Sequence, residues 1–176
     1  MSDIGIVQFI QGIFLSSLTG QWISIALARV WIFLFIPLVY WVWLHGSSHE
    51  KHGVKELLWS AALAVFSSEL LALFIMRPRP FLAAANIITL IPAPLTSAFP
   101  SIHTSVAIAC SIVLWSVNRW AGYIGFLITL GVIIGRISAG VHYPTDIIGG
   151  IIIGLLSFTL VRLGHKAQRH PSSKIS

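Results

Sequence analysis

Arg136-Ile-Ser-Ala-Gly-Val-His142-Tyr-Pro-Thr-Asp146 closes one long apolar segment of the chain and opens the next. It sets a cation, an imidazole and a carboxylate at the edge of lipid, where ionisable groups cost roughly 2.5–3.5 kcal/mol each on insertion scales. The segments around it decide the fold. Trp120–Gly135 precedes it and Ile147–Leu163 follows it; upstream lie Trp22–Leu44, Leu57–Met76 and Ile102–Val117. A span needs about 20 mostly apolar residues. These five segments meet that need, with Arg29 and Glu69 as internal exceptions and Ile102–Val117 extended by its flanks. Ile4–Leu18 is apolar but short, carries Gln8 and Gln11, and reads as an amphipathic helix lying at the membrane interface. A sixth span is the alternative. The expected fold is an all-α integral membrane protein of one domain, residues 1–176, with about five transmembrane helices and an N-terminal interfacial helix over 4–18.

Composition agrees. Of 176 residues, 56% are hydrophobic and 9% charged, against about 25% charged in soluble domains. The net charge of +6 sits in short loops and the tail, which speaks for membrane topology over nucleic-acid binding. Cys110 has no partner and lies in an apolar run, as a small core residue does. Met-Ser-Asp-Ile-Gly at the N-terminus lacks a basic stretch, so no cleaved signal peptide is expected. Nothing in the sequence sets an oligomeric state.

Five spans put His45–Glu56, Asn118–Arg119 and the tail on one face. That face holds Lys51, Lys55, Arg119, Arg162, Lys166, Arg169 and Lys174. The other face receives the N-terminus, Arg77–Ser101 and Arg136–Asp146. By the positive-inside rule the basic 164–176 tail is cytoplasmic and the three polar clusters face outward. Trp41, Trp43, Trp59, Trp115 and Trp120 fall near the cytoplasmic boundary, as an aromatic belt does.

The outward clusters carry chemistry. Asp146 follows His142 by four residues, at the start of a span. A carboxylate on one ring nitrogen fixes the tautomer and leaves the other nucleophilic. Helix capping alone would explain Asp146, but not Arg136 or His142. In Phe99-Pro-Ser-Ile-His103-Thr104, Ser101 suits a helix cap, and free amides at that N-terminus attract an anion beside His103. In Arg77-Pro-Arg79-Pro, prolines stop the preceding helix, and two guanidiniums match phosphate oxygens. Gly131-x-x-x-Gly135 and Gly150-x-x-x-Gly154 permit close helix approach on both sides of the turn.

These residues resemble the type 2 phosphatidic acid phosphatases, membrane enzymes related to glucose-6-phosphatase and vanadium haloperoxidases. The family signature is Lys-x6-Arg-Pro, then Pro-Ser-Gly-His, then Ser-Arg-x5-His-x3-Asp. The third part stands here as Gly135-Arg136-x5-His142-x3-Asp146, the second as Pro100-Ser101-Ile102-His103, the first as Arg-Pro-Arg79-Pro80-Phe81. The likeness covers about residues 57–163, the expected catalytic core. Within the family, the wording is similar to bacterial undecaprenyl-diphosphate phosphatases. Three positions depart from the pattern: Gly135 replaces Ser, Ile102 replaces Gly, and the first-motif lysine falls on Ala72 (Leu70 if counted from Arg77). Glu69 has no place in the pattern.

The resemblance implies a metal-independent and cofactor-free hydrolase of lipid phosphates in a bacterial inner membrane, its site facing the periplasm or outside. It implies His142 as nucleophile, Asp146 as its orienting group and His103 as general acid and base. Arg136, Arg79, Arg77, Ser101 and the Ile102 amide would hold the phosphoryl oxygens. The implied partner is an anionic phospholipid or polyprenyl phosphate, foremost undecaprenyl diphosphate. Phosphatidylglycerophosphate, phosphatidic acid or lipid A phosphatase activity, phosphotransfer to another lipid, and non-catalytic binding or transport of an anionic lipid are the competing expectations.

Overall fold

The structure is a computed structural model that describes residues 2–169. Its helices are α1 (Asp3–Leu15), α2 (Leu18–Arg29), α3 (Phe35–His45), α4 (Ser48–Ile75), α5 (Pro80–Ala83), α6 (Ile102–Val117), α7 (Arg119–Ser138) and α8 (Pro144–Arg169), with a 3-10 turn at Trp31–Leu34. Short polar side chains cap four of them. Ser2, Ser17 and Asn118 cap α1, α2 and α7 by accepting an amide three residues on. Ser47 and Glu50 form a capping box at α4. Arg77-Pro-Arg79-Pro keeps α4 from continuing past Ile75, and Pro80 occupies the first turn of α5, where its missing N–H costs nothing.

α4, α7 and α8 are each long and apolar enough to cross a membrane. The expected single span Trp22–Leu44 is not one straight helix: α2 and the Trp31–His45 stretch meet at a 55° bend. No proline or glycine marks that break; α2 ends at Arg29 and the chain tightens to 3-10 geometry over Trp31–Leu34. α6, at 16 residues, is apolar but shorter than a full membrane span, and it is the most central helix. It packs against α4, α7 and α8, and buries nine of its residues, among them Ala107, Cys110, Val113 and Leu114. Leu57, Val54, Ala121, Ile128 and Val132 close this core. The outer surfaces of the helices stay apolar and exposed, with Phe66, Phe74, Trp59, Trp120 and Leu127 turned outward, as lipid-facing surfaces require. Residues 164–169 prolong α8; the rest of the expected basic tail, Lys174 included, lies outside the described residues.

Small residues and hydroxyls join the helices. A Cβ at Gly150 would stand 2.8 Å from the Ser101 carbonyl oxygen, and one at Gly154 2.6 Å from that of Ser105. α8 therefore lies directly on the first turns of α6. Ser68 donates to Ser105 across α4 and α6 (3.0 Å), Ser111 meets Thr129 across α6 and α7 (2.9 Å), and Ser24 meets Ser138 across α2 and α7 (2.7 Å). Such bonds are worth about 1 kcal/mol apiece in a membrane interior.

The two ends of the bundle separate as the span count requires. At one, Asn118 Nδ2 donates to Glu50 Oε1 (2.6 Å) and His52 faces His165. At the other, α1 lies against the connecting segments. Gln11, only 2% exposed, donates to the carbonyls of Ile88 (2.7 Å) and Ser138 (3.2 Å) and accepts from the Ile88 amide (3.2 Å). The three polar clusters gather at this second end.

Candidate active site

Four elements converge on His142. α7 delivers Arg136 from its last turn. The turn that follows carries Gly140 at φ +74 with no room for a Cβ, which would come within 2.5 Å of the Ile88 carbonyl oxygen. That turn swings the chain so that His142 points back toward Arg136. α8 then begins and supplies Asp146, and the residue before α5 is Arg79.

The imidazole is buried and its two nitrogens face different groups. Nδ1 lies 2.8 Å from the Ala98 carbonyl oxygen and 3.6 Å from Asp146 Oδ2. Nε2 lies 3.4 Å from Arg136 Nη2 and 3.5 Å from Arg79 Nη1. A guanidinium can only donate. The acceptor nitrogen is therefore Nε2, and the proton belongs on Nδ1, where the Ala98 carbonyl accepts it and the Asp146 carboxylate faces it. Burial, reinforced by the charges of Arg136 and Arg79 and opposed by Asp146, pushes the His142 pKa down to about 4. The ring is neutral at physiological pH, with its free lone pair aimed between two cations.

The arginines are held for this purpose. Arg79 donates Nε to the Pro94 carbonyl (2.9 Å), Nη1 to that of Val141 (3.1 Å) and Nη2 to that of Ser97 (3.3 Å). Arg136 donates Nη1 to the Ala28 carbonyl (3.2 Å), while its Nε is buried without a partner. Two buried guanidiniums side by side repel each other, and among the described residues neither pairs with a carboxylate. An anion between them would supply both the missing charge and the missing acceptor.

α6 completes the ring. Ser101 is fully buried, gives its amide to the Asp146 carbonyl (3.1 Å), accepts from Thr104 Oγ1 (3.1 Å) and makes no capping bond. The first amides of α6, that of Ile102 included, have no intrahelical acceptors. His103, half-buried, stands within the fields of Arg136, His142 and Arg79. Arg79 and Arg136 thus meet His142 at Nε2, Asp146 stands on its Nδ1 side, His103 lies within their fields, and Ser101 ties the start of α6, with Ile102 next in its first turn, to Asp146.

Arg77 is the correction. Its guanidinium does not face His142 Nε2; it donates Nη1 to Asp146 Oδ1 (2.6 Å) and Thr145 Oγ1 (2.6 Å), and Nη2 to Asp3 Oδ2 (2.7 Å), and it lies over the Tyr143 ring at 4.0 Å. It stands behind Asp146, not beside Arg79, because the carboxylates of Asp146 and Asp3 and the face of the Tyr143 ring hold it there. Asp3, Thr145 and the Ala98 carbonyl are site contributors that sequence reasoning passed over. Asp3 alone carried a signal, as one of five carboxylates in the chain, on the face that also receives Arg77.

Gly135 also finds its reason. A Cβ there would stand 2.4 Å from the Leu27 carbonyl carbon and 2.5 Å from the Ala28 nitrogen. α2 rests on α7 at this point, and the same contact lets the Ala28 carbonyl reach Arg136.

This chain belongs to the PAP2 superfamily, whose profile matches residues 53–169. It is 32% identical over 117 residues to undecaprenyl-diphosphatase BcrC of Bacillus subtilis, a match covering 65% of this chain and 59% of that protein. It is 26% identical over 129 residues to the bacitracin transport permease protein BcrC of Bacillus licheniformis, over 73% of this chain and 63% of that one. The matched stretch therefore spans about three-fifths of these relatives. The crystal structure of Aquifex aeolicus LpxE shares the fold, with a TM-score of 0.75, 24% identity, and coverage of 90% of this chain and 93% of that one.

Proposed function

We propose that this chain is a lipid phosphate hydrolase working through a phosphohistidine, with undecaprenyl diphosphate as its foremost substrate. One observation carries the reading: His142 Nε2 lies between the guanidiniums of Arg136 and Arg79, two donor-only groups that leave it the acceptor. Nε2 attacks phosphorus, a P–N bond forms and the P–O bond to the leaving phosphate or alkoxide breaks. His103, which the bound phosphate anion would hold protonated, gives its proton to the leaving oxygen, then takes one from the water that cleaves the P–N bond. Arg136, Arg79, Ser101 and the Ile102 amide hold the equatorial oxygens, where charge grows in the transition state. The guanidiniums supply the positive charge that the phosphoryl group needs.

The name of the Bacillus subtilis relative supports the diphosphate substrate. A groove of about 390 Å³ beside Arg77, walled by Ala72, Leu73, Met76, Leu82 and Leu95, suits an apolar chain. Ala72, the position of the family lysine, and Glu69 both line that groove. The basic end, with Lys51, Lys55 and Arg119, is placed in the cytoplasm by the positive-inside rule, and the site faces outward.

The test is phosphate release by purified protein from undecaprenyl diphosphate, phosphatidylglycerophosphate and phosphatidic acid. Release should be fastest from the diphosphate and absent in His142→Ala. Turnover that survives in that variant overturns the mechanism; preference for a monophosphate overturns the substrate.

A further inference from the structure

We infer that Asp3 and Arg77 form a positioning relay, Asp3–Arg77–Asp146–His142, through which the N-terminal helix holds the nucleophile in register. The inference rests on the reading of His142 as nucleophile and adds two residues to it, neither of which touches the phosphoryl group.

Asp146 is fully buried, and a buried carboxylate needs a countercharge and hydrogen bonds. The neutral His142 ring brings no charge. Arg77 brings it, at 2.6 Å from Oδ1, while the Tyr143 amide satisfies Oδ2 at 2.8 Å. The carboxylate is thereby held with Oδ2 toward Nδ1. Arg77 in turn needs holding, since its helix has ended and its side chain is partly open to solvent. Asp3 does this: it accepts from Arg77 Nη2 at 2.7 Å and from the Thr145 hydroxyl and amide. Burial works against the charged form of Asp3, but the bonds from Thr145 and Arg77 outweigh it and keep the carboxyl below its usual range. Ser2 caps α1 and Gln11 anchors it to the Ile88 segment, so Asp3 is delivered by a fixed helix.

The groups that face His142 are Asp146 from α8, Arg136 from α7, Arg79 from before α5 and His103 from α6. Arg77 reaches the ring only through Asp146. Loss of Arg77 therefore removes the cation bonded to Asp146, and the imidazole beside that carboxylate then takes up a proton at higher pH.

The experiment compares Asp3→Asn, Arg77→Gln and Arg77→Lys with the parent and with His142→Ala, in steady-state hydrolysis of undecaprenyl diphosphate across pH. Monodispersity and thermal unfolding are measured alongside, to score only folded protein. The relay predicts that Asp3→Asn lowers kcat about 10- to 100-fold with KM unchanged, the size expected when a reacting group is slightly misplaced. Arg77→Gln should lose at least as much, with its acid limb moved to higher pH, and Arg77→Lys should recover part of the rate. Asp3→Asn and Arg77→Gln combined should cost no more than Arg77→Gln alone. If Arg77 were instead a phosphate ligand, Arg77→Gln would raise KM, and Asp3→Asn would leave the rate unchanged or improved. Either result, with His142→Ala inactive, overturns the relay and leaves the nucleophile reading intact. An active His142→Ala overturns the nucleophile reading itself.

Discussion

Arg136 Nη2 points at His142 Nε2 across 3.4 Å, a donor facing a ring nitrogen that can only be accepting. That relationship sets the tautomer. It also places the lone pair where a tetrahedral anion would have its phosphorus, with Arg79 completing the approach from the other side.

The pH dependence follows from the buried ring. The His142 pKa is pushed down to about 4 by burial, against about 6.5 in an unfolded chain. The unfolded state binds the extra proton first, so the group contributes stability fully above about pH 6.5. That contribution is lost as pH falls toward 4. The acid limb of kcat/KM, after allowance for the substrate's own ionisation, should lie well below pH 6.5. A limb at 6.5 would mean an ordinary, solvated imidazole.

Arg79→Lys should cost about 10²–10³ in kcat, the price of one preorganised donor to a developing oxyanion. All three guanidinium nitrogens of Arg79 are anchored on backbone carbonyls, and an ammonium cannot keep that set. Steady-state kinetics should show the loss mainly in kcat. A change confined to KM would place Arg79 in ground-state binding alone.

Gly135→Ser restores the residue common in the family, yet here it should be harmful. Its Cβ would meet the backbone of Leu27 and Ala28 at 2.4–2.5 Å, and overpacking of this kind costs about 1–3 kcal/mol. Thermal unfolding in detergent should report a lower midpoint, with activity reduced as the Ala28 carbonyl moves off Arg136. An unchanged midpoint would show that α2 yields freely.

Gln11→Ala should lower stability by about 1–3 kcal/mol, since the Ile88 amide and two carbonyls lose their buried partner. The same unfolding assay measures it. A neutral result would detach α1 from the fold.

Much of this site was legible because its chemistry sits in short local spacings. His142 and Asp146 share one turn, Ser101 and His103 share another, and counting apolar segments brought both to one face. The resemblance to a known family then assigned their roles. What stayed hidden depends on contacts between distant segments. The pairing of Asp3 with Arg77 joins residues 74 apart in the chain, and no periodicity tells which of two arginines turns inward. The break after Arg29 has no proline or glycine to announce it. Gly135 reads as a lost hydroxyl until the α2 backbone is seen against it.

The central claim is that phosphorus bonds to His142. A single-turnover reaction with undecaprenyl diphosphate labelled in its terminal phosphate, quenched in alkali to preserve phosphoramidates and digested, tests it most directly. The account predicts transient label on the peptide that contains His142, and none when the protein is His142→Ala. Label on another residue, or full phosphate release with no labelled protein at any time, would contradict it.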